Sequence, residues 1–195
     1  LVEAGDWCAR MQGLSLKNVG VRLVDRKNKT VYEDFGELLF THFGLSGPTI
    51  LSSSAHRKDG EPYRIILDLK PALDEKKLDQ RMLRDLEQYQ NRTIEHALQD
   101  LYPRTMIPVM VARAEIPPEI KANSLTKQQR RRLLELTKAF PIEIEGPRPV
   151  EEAIVTAGGV KTKEIDPKTM ESKLVSGLYF AGEVLDVDAY TGGFN

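Results

Sequence analysis

The chain has 195 residues, 41% hydrophobic and 29% charged, proportions that allow a buried core and exclude extended disorder. Lys and Arg number 28 against 29 Asp and Glu, so the formal net charge of −1 offers no global field for nucleic acid or an anionic membrane. A single cysteine, Cys8, excludes an internal disulfide and a multi-cysteine metal site, and no apolar run approaches the ~20 residues needed to cross a bilayer. These features predict a cytoplasmic protein without a metal. Leu1 at the start and Gly192-Gly193-Phe194-Asn195 at the end read as cuts, which predicts a partial chain.

In chain order, Leu14 to Asp25 is rich in Val and Leu with partial alternation, Lys27-Asn28-Lys29 supplies a turn, and residues 30–41 resume the pattern, predicting a β-hairpin. Gly44, Gly47 and Pro48 punctuate the next stretch, and Pro48 suits the first turn of a short helix starting near Ser46. Residues 62–69 alternate as a further strand. Beyond Pro71, the four-residue spacing of Leu78, Met82 and Leu86 predicts an amphipathic helix over 74–90. Helical pattern continues through 93–116, where Pro108 is expected to break or kink it. Thr126 and Gln129 have capping-box spacing ahead of a helix whose buried stripe is Leu133, Leu136 and Phe140. After Phe140, β character returns at 141–146, 150–158 and 177–182. A β scaffold interrupted and then resumed predicts an α+β fold, a barrel-like antiparallel unit carrying a helical subdomain at 72–140, because neither flank has enough strands to bury a core alone.

The chemistry-bearing stretch is the last forty residues. Leu178 to Ala181 form a short apolar run expected to be a strand, ending at Gly182 with the acid Glu183 immediately after. Ligands of open α/β sheets sit off the carboxyl ends of strands, where a carboxylate can accept hydrogen bonds from sugar or ribityl hydroxyls. Asp186 and Asp188 lie just beyond. Thr191-Gly192-Gly193 then gives a turn lacking Cβ at two positions, so its amides can approach a ligand closely.

Thr156-Ala157-Gly158-Gly159-Val160, Glu164-Ile165-Asp166, Thr169 to Lys173, Gly177 to Asp186 and Gly192-Gly193-Phe194-Asn195, together with the upstream run Gly36 to Pro48, stand in an order and spacing that resembles one bacterial flavoprotein family. That family includes aminoacetone-oxidase-like enzymes and the bile-acid-dehydroxylating flavoproteins of gut bacteria. The resemblance implies an FAD-dependent oxidoreductase acting on a small molecule. In such an enzyme a Rossmann-like FAD domain carries an inserted barrel, and the barrel carries an inserted helical domain. On that basis residues 1–13 are a linker from the FAD domain, 14–71 and 141–175 the barrel, 72–140 the helical insert, and 176–195 the returning edge of the FAD domain. Gly158, Gly159, Gly182, Glu183, Asp186, Thr191, Gly192, Gly193 and Asn195 are the implied cofactor-side residues. No G-x-G-x-x-G occurs in the chain, so the segment that would hold the FAD pyrophosphate is expected elsewhere in the protein, and this chain alone is expected to bind FAD weakly or not at all.

Each of these residues also has a plainer reading. Glu183 is a solvated loop acid unless the resemblance holds, and glycine pairs are commonly ordinary turns. His42 is a candidate proton donor, though a histidine beside Phe43 is more commonly structural. The run Lys127, Arg130, Arg131, Arg132 allows a second function, a noncatalytic module gripping nucleic acid or protein through helix 126–140. On a capped helix with a Leu-rich opposite face it reads first as a solvated surface, so nucleic acid is not the expected partner. Cys8, with no basic cluster near it in sequence, is expected to be unreactive, and Trp7 and Met11 to pack beside it.

Overall fold

In the computed structural model, which describes residues 1–58, 60–153 and 156–187, the first hairpin is set by its turn. Asp25 Oδ1 accepts hydrogen bonds from Lys27 N at 2.8 Å and Lys29 N at 2.9 Å, while Asn28 takes the left-handed φ of 62° that the turn requires. Among the described residues the strands β1 (Val2–Glu3), β2 (Ser15–Asp25), β3 (Thr30–Thr41), β4 (Gly44–Ser46), β5 (Tyr63–Asp68) and β6 (Phe140–Gly146) close into an antiparallel barrel in the order β1-β4-β3-β2-β5-β6. Alternate residues point inward, so Val19, Val21, Leu23, Leu38, Phe40, Leu45, Ile65, Leu67, Ile142 and Ile144 fill the interior.

The alternation in β2 is only partial because the strand bulges. Its register against β3 shifts between Leu16 and Val19, so Leu16 and Val19 both face apolar surroundings although three positions apart. The bulge leaves Lys17 and Asn18 exposed side by side. β1 lies within the stretch expected as a linker. Two residues suffice to pair with β4 on one side and β6 on the other, because closure satisfies strand groups that an open edge would leave bare.

The helical region leaves the barrel after β5 and re-enters at β6. It contains α3 (Glu75–Gln88), α4 (Ile94–Ala97), α5 (Ile107–Arg113) and α6 (Lys127–Lys138); in the barrel half, α1 (Trp7–Arg10) and α2 (Pro48–Ser54) fill connections. Asp74 caps α3 by accepting from Lys77 N, and Thr126 with Gln129 forms a reciprocal capping box on α6. Leu78 and Met82 are buried as the spacing predicts; Leu86 is half-buried. Pro108 does not interrupt a helix: it occupies the first turn of α5, where its missing N–H has no partner to lose. On α6 the deeper stripe is Leu133, Leu134 and Thr137, with Leu136 half-buried and Phe140 already in β6.

Entry and exit of this region meet at a narrow neck. Leu69 N donates to Thr137 O at 2.8 Å, and the Lys138 ammonium donates to Leu73 O at 2.7 Å and Lys70 O at 3.1 Å while pairing with Asp68 Oδ2 at 2.6 Å. Arg113 adds a second tie, donating to Pro141 O at 2.7 Å with its guanidinium 4.3 Å from the Phe140 ring centroid and 5.5 Å from that of Trp7.

Contact density divides the chain into Leu1–Gly146 and Pro147–Asn195. In the second unit, neither expected strand is present among the described residues. Val150–Glu152 is a 3-10 turn, with Ile154 and Val155 outside the described residues, and the 177–182 run contributes only an isolated bridge from Tyr179 to Glu171. Apolar composition promotes a strand only where a neighbouring ladder exists, and among the described residues of this unit the pairings are isolated bridges.

Barrel closure hinges on Gly44. A Cβ there would lie 2.3 Å from Leu1 O and 2.6 Å from Glu3 N, at a φ of 146°. Gly44→Ala is expected to destabilise the protein by about 3 kcal/mol or more, read as a lowered midpoint in thermal or urea unfolding; an unchanged midpoint would show that β1 is not needed for closure.

Candidate functional site

In the second unit the cofactor-side residues that the structure describes come together. Val160 N donates to Val184 O at 2.8 Å, and Asp186 N donates to Val160 O at 2.9 Å, a parallel bridge that lays the glycine pair alongside the turn Gly182–Val184. Gly159 is required for that approach, since a Cβ there would stand 2.5 Å from Val184 O. Gly158 and Gly182 take left-handed φ values of 98° and 76° with open space on the side a Cβ would occupy. Glu183 and Asp186 are exposed beside them. Gly158 and Gly182 thus leave Cβ-free backbone in the same unit as the exposed carboxylates of Glu183 and Asp186. Thr191, Gly192, Gly193 and Asn195, and Asp188 with them, lie outside the described residues.

A concave feature stands on the outer wall of the barrel. A groove of about 590 Å³ is lined by Asn18, Phe35 and the 69–73 turn. Phe35 occupies an outward position of β3 and is 59% exposed; its cross-strand neighbour is Gly20, which in turn pairs with Asp68. The turn is held in shape by Lys138. Sequence reasoning misses this groove, although two signals for it are present: a break in the parity of β2 and an aromatic at an outward position.

Residues 2–155 match the model of the HI0933-like protein barrel and H2TH domain. The chain belongs to the HI0933-like family. It is 31% identical over 173 residues to the ribosomal RNA dihydrouridine synthase of Escherichia coli, covering 89% of this chain and 41% of that protein. Against the protein of the same name from Haemophilus influenzae it is 34% identical over 161 residues, 83% of this chain and 39% of that protein. Against the 3-dehydro-bile acid delta(4,6)-reductase of Clostridium scindens it is 30% identical over 167 residues, 84% of this chain and 41% of that protein. The chain thus spans about two fifths of the length of these relatives. The bile-acid branch of the expected resemblance is present among them; none of the three carries the aminoacetone-oxidase name.

Other candidate residues of this HI0933-like chain sort by their contacts. His42 is exposed on the turn between β3 and β4, edge-on to Phe43 with ring centroids 5.1 Å apart. The basic run on α6 is largely neutralised: Arg130 pairs with Asp79 at 2.8 Å, Arg131 with Glu135 at 2.8 Å, and Arg132 with Glu115. Among the described residues there is no cluster of His, Cys and acids able to hold a metal, and no helix is long and apolar enough to cross a membrane. Asp85, buried on α3 and bound through both oxygens by Arg81, was not anticipated from the sequence.

Cys8 is fully buried and its backbone N–H donates to Glu3 Oε2 at 2.7 Å. Burial, reinforced by the Glu3 carboxylate, pushes the thiol far above its ordinary range. A thiol-specific reagent is therefore expected to modify Cys8 only after denaturation; reaction at the rate of a free thiol in native buffer would contradict this. For the groove, Lys138→Met is expected to cost about 2 kcal/mol and to raise hydrogen exchange at the Leu69 and Leu73 amides, while α4 amides stay protected.

Proposed function

We propose that this chain supplies the barrel and helical parts of a FAD-dependent oxidoreductase, with residues 176–195 returning to a Rossmann-like FAD domain formed by the rest of the protein. The observation that carries the reading is similarity over more than four fifths of the chain to proteins whose names describe one kind of reaction. Forming dihydrouridine and reducing a delta(4,6) 3-dehydro steroid both add two hydrogens across a carbon–carbon double bond conjugated to a carbonyl. Such a reduction needs a hydride at one carbon and a proton at the other; bound FAD, once reduced by an external two-electron donor of the nicotinamide class, would supply the hydride and return to its oxidised form.

The described residues take binding and orienting roles. The left-handed backbone at Gly158 and Gly182 lets a planar ring approach without meeting a side chain. Glu183 would accept hydrogen bonds from ribityl hydroxyls, and Asp186, whose backbone N–H donates to Val160 O, stands as the alternate acceptor. Outside the described residues, the Gly192 and Gly193 amides are the groups that the family resemblance would set to stabilise negative charge on the ring's polar edge. His42 remains the candidate proton donor of the barrel unit. RNA, set aside on net charge, returns as a candidate substrate beside a small molecule, because two of the relatives are named for ribosomal RNA. The alternative of a noncatalytic module using helix 126–140 is weakened by the acid partners of its arginines.

The test is the flavin itself. The full-length protein is expected to purify with FAD, seen as visible flavin absorbance and identified after denaturation, and Glu183→Ala in that protein to weaken FAD retention about tenfold, the size of one charge-assisted hydrogen bond. Residues 1–195 alone are expected to be colourless. A full-length protein that neither retains nor binds FAD overturns the reading.

A further inference from the structure

The groove on the barrel's outer wall is not used by the flavin-side reading, and its chemistry is specific. We propose that it seats one base of a single-stranded RNA, with the ring stacked on Phe35, the base edge at the Asn18 amide and the adjoining phosphate at Lys70. This builds on the oxidoreductase reading only in choosing RNA over a steroid as the substrate class.

Phe35 is the exposed aromatic of β3, and because Gly20 stands opposite it in register, the facing position of β2 contributes no side chain over the ring. An uncovered ring flanked by polar groups is the usual platform for an unstacked base. Asn18 carries both a donor and an acceptor, matching the mixed edge of a pyrimidine, and the bulge brings it to the groove. Among the described residues no hydrogen bond or ion pair engages the Lys70 ammonium. The nearby Asp68 does not neutralise it, since its carboxylate accepts from Lys70 N at 3.0 Å and pairs with Lys138. Lys17 sits next to Asn18 on the bulge, and the Arg81 charge reaches Lys70, where burial and then this like charge lower the amine's proton affinity. The groove thus carries one cation, Lys70, without an acid partner among the described residues, a point of attachment for one phosphate on a chain of nearly zero net charge.

Shape favours a polymer over a sterol. Asn18, Phe35, Pro71 and Ala72 are all exposed, so a rigid ligand would keep much of its surface in water, whereas small-molecule sites normally enclose most of the ligand. A strand of RNA can cross an open groove, leaving one base in it. The 69–73 turn is held by Lys138 before any ligand arrives, which limits the ordering cost.

The experiment is fluorescence anisotropy of a short labelled oligouridylate with the full-length protein at low salt. Phe35→Ala is expected to weaken binding about tenfold and Phe35→Trp to restore it. Lys70→Met should reduce the slope of log affinity against log salt by about 0.7, the value for one phosphate of a single strand. Arg131→Ala, removing a guanidinium already paired with Glu135, should leave binding unchanged. Equal unfolding midpoints of the exposed-site variants confirm that folding is intact. If the oligouridylate binds and neither groove variant alters it, the groove assignment is overturned while RNA binding elsewhere on the protein stands. If it does not bind at all, the RNA occupant is overturned, and a steroid carboxylate whose binding is lost in Phe35→Ala would identify the replacement. Both outcomes are independent of flavin retention, so they are distinguishable from failure of the oxidoreductase reading.

Discussion

The ammonium of Lys138 holds the two halves of the first unit in register. It ends α6, directly before the chain re-enters the barrel, and reaches across to the segment by which the chain left it, engaging Asp68, Lys70 and Leu73 together. Three acceptors match the three protons of an ammonium, so a charge only partly in water is nearly saturated. The adjacent Leu69–Thr137 backbone bond repeats the same crossing. Deeper in, Thr137 gives its proton to Leu133 O, which leaves the Tyr102 hydroxyl as donor to Thr137 at 2.6 Å. Side chains from β5, α6 and the loop before α5 therefore converge on one point, and apolar residues of barrel and helices form one continuous core around it.

That neck also shapes function. The 69–73 turn is at once the barrel's exit and the wall of the groove, so the residue that fixes the helical region fixes the binding surface. The basic helix, the obvious electrostatic candidate in the sequence, has its arginines committed to Asp79, Glu135 and Glu115 within the helical region. Lys70, inconspicuous in sequence, is a cation left for a ligand. Sequence clustering of charge and availability of charge are different properties, and only the acids folded against it decide between them.

Much of the fold was legible because its signals are local. The Thr126–Gln129 capping box, the Leu78–Met82 spacing, the Asn28 turn and the Pro48 helix start each rest on residues within one turn of each other, and each is present in the structure. Non-local features were not legible. Val2–Glu3 contains too few residues to carry a pattern, and it is a strand because β4 and β6 lie ready on either side. Leu178 to Ala181 carries the apolar pattern without that context, and only Tyr179 makes a bridge. Pro108 misleads for a related reason: proline starts a helix as readily as it stops one, and the outcome depends on whether the preceding residues are already helical. For the candidate site, the sequence points to Gly159 and the Gly182–Asp186 run separately, while their pairing through Val160 is a tertiary fact.

The two-residue length of β1 makes the barrel a ring with one thin seam. The pairings of β2 with β3 and of β5 with β2 and β6 are longer ladders, but here a few backbone bonds join β4 to β6 through an intermediary. Local fluctuations spend least free energy where fewest bonds must break, so the wall should part at this seam first. Two unsatisfied strand margins would then face water together, a template that any extended segment of another molecule can occupy. The shortest element of the fold is thus the one that keeps it from recruiting strangers.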